Sequence, residues 1–161
     1  MKQLDEQARK LCSFQAKLFE ASHEYSASSS AVFIRRFMRS EYARRLDWGT
    51  EVLEAATLQQ AICDVEMEYG ARAYGSEKYQ PMELHWMGYV YRYICVAYDI
   101  TSKEAYRIIG ARELRELYYP YHTLDTALAV ERIFEAKGGQ SPTDISYGVE
   151  TLKRIRGIGD K

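Results

Sequence analysis

The chain lacks a dominant charge, a long apolar run and a paired-cysteine motif, and each absence removes a class of protein. Its formal net charge is -1, so no overall field holds it to nucleic acid or a membrane, and any such contact has to be local. No apolar stretch approaches the roughly 20 residues of a membrane span, and the N-terminal MKQLDEQARK is charged where a secretory signal is apolar. The expected location is the cytoplasm, without membrane contact. Cys12, Cys63 and Cys95 form no CxxC pair and each lies in a helical pattern, which predicts buried, reduced thiols. His23, His85 and His122 are scattered, and none has a cysteine, histidine or carboxylate at ligand spacing that outdoes chance, so no metal or other cofactor is expected. A glycine-rich phosphate loop and a nucleophile elbow are also missing from the sequence.

What is present reads as helix. With 47% apolar and 28% charged residues over 161 positions, the chain can fill one core, or two small lobes sharing one. Leu4, Ala8, Leu11 and Leu18, with Phe14 and Phe19 nearby, predict a helix over about residues 3 to 21. The serine cluster from Ser26 to Ser30 breaks it and supplies N-caps for a second helix, through Phe33, Ile34, Phe37, Met38 and Leu46 to an Asp47-Trp48-Gly49 turn. A third is predicted from a Thr50 cap, with Glu51 suited to the dipole, through Leu53, Ala56, Ile62, Val65 and Tyr69 to Gly70. Gly70 to Gln80, polar with two glycines, is the best linker candidate.

Beyond it, Pro81 opens a helix whose apolar stripe is Met82, Trp86, Tyr89, Tyr93, Val96 and Ala97. Thr101 and Glu104 form a capping-box pattern ahead of a short helix ending near Gly110, and a segment from Ala111 to Tyr119 is stopped by Pro120. Thr123 or Asp125 caps a helix through Leu128, Ile133 and Phe134, closed by Gly138 and Gly139. Ser141-Pro142 opens the last, with Ile145, Val149, Leu152 and Ile155 in register. The expected fold is all-α, a compact bundle of about six to eight helices. Residues 1–75 would form an N-terminal lobe of three helices and residues 76–161 a tyrosine-rich lobe, the two separate or sharing one core.

Two features point to a surface. Eleven of the fourteen tyrosines fall between Tyr69 and Tyr121, and tyrosine favours half-wet cores and recognition surfaces over dry interiors. Tyr89 and Tyr93 lie on the apolar stripe and are expected in the core. Tyr91 and Tyr98 lie off it, beside Arg92 and Asp99, and with Tyr118, Tyr119, Tyr121 and His122 they are candidates for a contact surface. The second feature is Arg35, Arg36, Arg39, Arg44 and Arg45 set against Glu41 alone, followed by a stretch to Glu68 with six acids and no Lys or Arg. Antiparallel packing of the second and third helices would let these charges compensate along their edges. Alternatively Arg35 and Arg39, at i,i+4, share a face that suits phosphate, nucleic acid or an acidic partner.

Two sharper motifs bear on function. Arg115 and His122 have a spacing that resembles the HEPN ribonuclease family, but Glu116 follows the arginine and Pro120 interrupts, which places the histidine in a loop. Thr101 to Tyr119 has the outline of a helix-turn-helix with Arg107, Arg112 and Arg115 for phosphate contacts, although Glu104, Glu113 and Glu116 on the same helices would repel DNA.

The block SSSAVFIRRFMRSEYARRLD ending at Asp47 and the block from Met87 to Ile133 together resemble a family of small helical bacterial proteins encoded in toxin-antitoxin-like gene cassettes, beside ADP-ribosyltransferase-like toxins. Tyr121-His122-Thr123-Leu124-Asp125 and Phe33-Ile34-Arg35-Arg36-Phe37-Met38 carry the resemblance most distinctively. It implies the neutralising or regulatory component of such a cassette and brings no catalytic residues with it. The expected function is therefore a non-catalytic interaction protein, antitoxin-like or inhibitory, that masks a protein partner through Arg35, Arg36, Arg39, Tyr91, Arg92, Tyr118, Tyr119, Tyr121 and His122. A nucleic-acid-binding regulator, a HEPN-like ribonuclease and a phage-encoded inhibitor of a host defence enzyme are the alternatives. Self-association through the tyrosine-rich face would also fit.

Overall fold

The computed structural model describes residues 1–49 and 57–138; the expected features from Thr50 to Ala56, at Gly139, and in the final helix from Ser141 to Ile155 lie outside them. Among the described residues every regular element is a helix: α1 Glu6–Tyr25, α2 Ser30–Met38, α3 Glu41–Trp48, α4 Leu58–Glu68, α5 Pro81–Tyr98, α6 Ser102–Ile108, α7 Ala111–Glu116, α8 Tyr118–Tyr121 and α9 Thr126–Ala136. The chain is all-α over this range, and no described helix is long and apolar enough to cross a membrane.

Short polar side chains place most helix starts by accepting from an otherwise orphaned backbone N–H. Asp5 caps α1, Ser29 caps α2, Ser40 caps α3, Thr57 caps α4 and Asp125 caps α9. Thr101 and Glu104 form the reciprocal capping box at α6. Several expected boundaries need correction for the same reason. The single helix from Phe33 to Leu46 is two, because the Ser40 hydroxyl donates to the Phe37 carbonyl at 2.6 Å and accepts from the Ala43 N–H at 3.1 Å, ending one helix and starting the next. The third helix begins at Leu58 behind its Thr57 cap. Pro120, expected as a stop, lies inside α8; it is the third residue there, where an N–H has no intrahelical partner to lose.

α1 and α5 run antiparallel along each other. Leu4, Ala8 and Cys12 meet Ala97 at one end, Glu20 bonds His85 further along, and His23 reaches the Tyr79 carbonyl at 2.9 Å at the other. Gly88 lets them close, since a Cβ there would lie 2.6 Å from the Gln15 carbonyl oxygen and 3.0 Å from the Ala16 Cα. Around this pair, α2, α6, α7 and α9 pack on the remaining faces. One buried cluster runs from Phe19 through Phe33, Phe37, Ile62 and Leu84 to Tyr91, Leu114 and Ile133, drawing on residues from both sides of segment 70–80.

Because α5 is enclosed, its burial does not follow the predicted stripe. Met82 is exposed, and Trp86, Tyr89, Tyr93 and Val96 are half-buried, while Leu84, Met87, Val90, Tyr91, Ile94 and Cys95 are fully buried. A helix that is apolar all round has no single stripe to read. Cys12 and Cys95 are buried as expected, but Cys63 is exposed on α4.

Candidate functional site

The expected linker is instead a strap fastened across the serine loop between α1 and α2. Where α4 ends, Gly70 and Ala71 take positive φ, and the Ala71 N–H donates to the Glu66 carbonyl at 2.9 Å, turning the chain back toward α2. The Ser29 N–H donates to the Tyr74 carbonyl and the Ser30 N–H to the Glu77 carbonyl, each at 2.9 Å. Lys78 Nζ donates to the carbonyls of Ser26 and Ser28, at 2.5 and 2.6 Å, and burial lowers its pKa. Tyr79 is buried beneath the strap. Gly75 makes the close approach practicable, because a Cβ there would sit 2.8 Å from Ser29 Oγ.

Fastened this way, the strap brings Arg72 and Tyr74 to the arginine face of α2. With Tyr69 at the end of α4, they join Arg35, Arg36 and Arg39 around an open pocket of about 600 Å³. Arg36 is its buried member. Its Nη1 donates to Glu66 Oε2 at 3.2 Å and to Ser28 Oγ at 3.3 Å, and its guanidinium lies 5.3 Å from the Tyr69 ring centroid and 5.5 Å from that of Tyr74. Ser26 steadies Glu66 by donating to Oε1 at 2.6 Å, and Tyr69 donates to the Arg36 carbonyl at 3.3 Å. Burial raises the Tyr69 pKa, reinforced by Glu68 and opposed by the nearby arginines. Arg35 and Arg39 are exposed. Arg39 lies over Tyr106 at 5.7 Å, and Arg35 also borders a second basin with Tyr106 and Arg112.

Among the described residues, compensation by the acidic segment reaches only part of the arginine run. Glu66 takes Arg36, whereas Glu68 accepts from the Glu41 N–H at 3.1 Å, and Arg44 pairs with Glu41 on its own helix at 2.8 Å. Among the described residues, Arg35, Arg39 and Arg72 form no ion pair with a carboxylate.

Other predicted surface residues are elsewhere. Tyr91 and Arg92 are not on the surface. Tyr91 is fully buried, donates to the Ile109 carbonyl at 2.8 Å, and has its pKa raised well above the ordinary value by burial. Arg92, 1% exposed, donates to Asp47 Oδ1 at 2.6 Å, Gln15 Oε1 at 2.8 Å and Ser102 Oγ at 2.8 Å, so it ties four helices together from inside. Tyr118 is buried too, with Trp86 edge-on at 5.8 Å and His122 stacked at 4.4 Å. Of that group Tyr119 and His122 are exposed and Tyr121 is half-buried, and none lines the arginine pocket.

The HEPN-like and helix-turn-helix residues are engaged in other ways. Arg115 pairs with Glu83 at 2.7 Å and Glu77 at 3.2 Å and lies 4.3 Å from the Tyr79 ring centroid. His122 Nδ1 faces the Tyr118 carbonyl at 2.8 Å. The helix that would enter a DNA groove, α7, has 6 residues, under two turns. The described residues hold no cluster of metal-ligating side chains.

Tyr69, Arg72 and Tyr74 are the pocket residues that sequence reading missed. Their signal was an arginine and two tyrosines around a glycine-flanked loop, but only the strap's hydrogen bonds bring that loop to α2. Comparisons of the chain with protein-family models, curated proteins and solved structures find no match.

Proposed function

We propose that this chain is a non-catalytic interaction protein that binds and masks another protein, antitoxin-like or inhibitory, through the face around Arg35, Arg39, Arg72 and Tyr74. The observation that carries this reading is the pocket itself, with four guanidiniums, two tyrosine rings and no carboxylate among its lining residues. Arginine and tyrosine are among the side chains enriched at the energetic centres of interfaces, and exposed cations such as Arg35, Arg39 and Arg72, which no described carboxylate pairs, select an acidic counterpart. The frame behind them is fixed by Glu66, Ser28 and Lys78, so the backbone of the face is ordered before docking and the cost that remains is that of the exposed side chains. The commitments of Arg115 to Glu83 and of the buried Cys12 and Cys95, whose burial pushes both thiols up to about 12, are consistent with binding rather than chemistry.

The test is co-expression of the chain with each of its genomic neighbours, scoring growth and co-elution on size exclusion. A neutralised neighbour should co-elute and its toxicity should vanish. Arg35→Glu combined with Arg39→Glu should abolish the complex while the helical circular dichroism stays native, and a complex that survives the pair removes this face from the reading. A duplex DNA titration at two ionic strengths addresses the rival nucleic-acid reading, which predicts a steep loss of affinity with salt.

A further inference from the structure

We infer that the pocket between α2 and the strap binds a nucleoside polyphosphate, with the phosphates on Arg35, Arg39 and Arg72 and the base against Tyr74. The inference rests on the reading that this face is the binding surface, and it adds the chemistry of a small ligand. Charge sets the class. Among the described residues the lining holds four arginines and no carboxylate, and of these four Arg36 alone pairs with a carboxylate, Glu66 behind it. A single carboxylate would leave at least two of the other guanidiniums unmatched, whereas a pyrophosphate unit is compact, carries two or more charges, and presents its oxygens in the geometry the planar fork reads.

Size and shape separate a small ligand from a polymer. About 600 Å³ falls within the range of small-molecule sites, and the cations are gathered into a basin instead of a stripe. A nucleic-acid strand leaving it over the end of α4 would meet the exposed Glu68. The ring assignment follows from Tyr74, which is 54% exposed at the pocket although its backbone is bonded to Ser28 and Ser29. With its backbone held and the Arg36 guanidinium 5.5 Å from its centroid, the exposed remainder of this ring is a stacking platform for a base.

The experiment is calorimetric titration of the full chain with inorganic pyrophosphate, ADP and sulfate at one fixed ionic strength. Saturable binding of pyrophosphate and ADP, with sulfate much weaker, is expected. Arg35→Ala with Arg39→Ala should cut both affinities at least about tenfold, and Arg35→Lys with Arg39→Lys should restore only part, because charge returns without the fork. Tyr74→Ala should weaken ADP and leave pyrophosphate unchanged. These variants alter exposed side chains, and circular dichroism should show each of them as helical as the parent. The inference is overturned by absent or non-saturable binding, by sulfate matching pyrophosphate, or by arginine variants that bind normally. An ADP affinity indifferent to Tyr74 overturns the nucleoside assignment, and a 5′-phosphorylated oligonucleotide that outcompetes ADP overturns the small-ligand assignment. These titrations use the isolated chain, so their failure and a failure to co-elute with a neighbour are separate results.

Discussion

A guanidinium with 1% exposure must find acceptors inside the protein, and Arg92 finds three on three other helices or their ends: Gln15 on α1, Asp47 on α3 and Ser102 on α6. Asp47 does double duty, because both its oxygens also accept from the Ser102 N–H in the first turn of α6, at 3.2 and 3.0 Å, and Oδ1 accepts from the Ser102 hydroxyl at 2.7 Å. The two charges are not equivalent when one is removed. Asp47→Ala leaves a cation buried without its counter-ion and strips an acceptor from the start of α6, and should cost about 3 to 5 kcal/mol. Arg92→Met fills the same space with an apolar chain and leaves Asp47, which is 10% exposed, still bonded to Ser102, so the loss should be smaller. Urea denaturation of the two variants decides it. Equal losses below about 1 kcal/mol would mean that the pair contributes no net stability.

At the scale of elements, the contact between α1 and α5 turns on Gly88, where two general effects point in opposite directions. Alanine is favoured over glycine inside a helix by about 1 kcal/mol, so propensity alone predicts that Gly88→Ala stabilises. The new methyl, however, would press on the Gln15 carbonyl oxygen at 2.6 Å and the Ala16 Cα at 3.0 Å, and backbone cannot swing aside as a side chain can. Overpacking of about 1 to 3 kcal/mol should win, and thermal denaturation should show a lower Tm. A Tm equal to or above that of the parent would mean that α1 and α5 can move apart at little cost. The same pair of helices explains what the sequence did and did not reveal. Helix starts at Ser29, Pro81, Thr101 and Asp125 were legible because a helix start is a local event, written within four residues, whereas the Asp5 cap of α1 was not read. The buried face of α5 was not, because helices distant in sequence surround it, and neither was the break at Ser40, where one hydroxyl serves two helix ends. Of the site, Arg35 and Arg39 could be read from their i,i+4 spacing, whereas Arg72 and Tyr74 reach them only through a strap whose bonds run to residues more than forty positions away.

For the whole molecule, the net charge of -1 at pH 7 counts thiols and phenols as neutral, and the fold keeps several of them neutral to higher pH than an unfolded chain would. Burial pushes the thiols of Cys12 and Cys95 from an ordinary 9.0 to about 12, with Arg92 partly opposing it in each case, and pushes the Tyr42 phenol from 10.0 to about 12. In the unfolded chain these groups release their protons at the ordinary values, so above pH 9.0 the native state holds more protons than the unfolded state and stability falls as pH rises. Each thiol contributes a loss of roughly 1 kcal/mol per pH unit from there until it ionises in the native state, and Tyr42 joins one unit higher. Lys78, whose pKa burial lowers, acts in the opposite sense, but it is one group against two thiols and several phenols, Tyr42, Tyr69 and Tyr91 among them. Melting temperatures measured between pH 7 and 11 should therefore be level up to about 8.5 and then fall steeply, well before lysine deprotonation dominates. Replacing Cys12 and Cys95 by alanine should lower Tm at every pH through the lost packing, yet delay the alkaline fall toward pH 10, where Tyr42 begins to ionise in the unfolded chain. A double variant whose Tm falls with the same pH onset as the parent would show that the thiols are not the groups being forced to ionise. The alkaline loss would then have to come from the phenols, with Tyr91, fully buried between Phe19 of α1 and Tyr106 of α6, the first to examine by its ultraviolet titration.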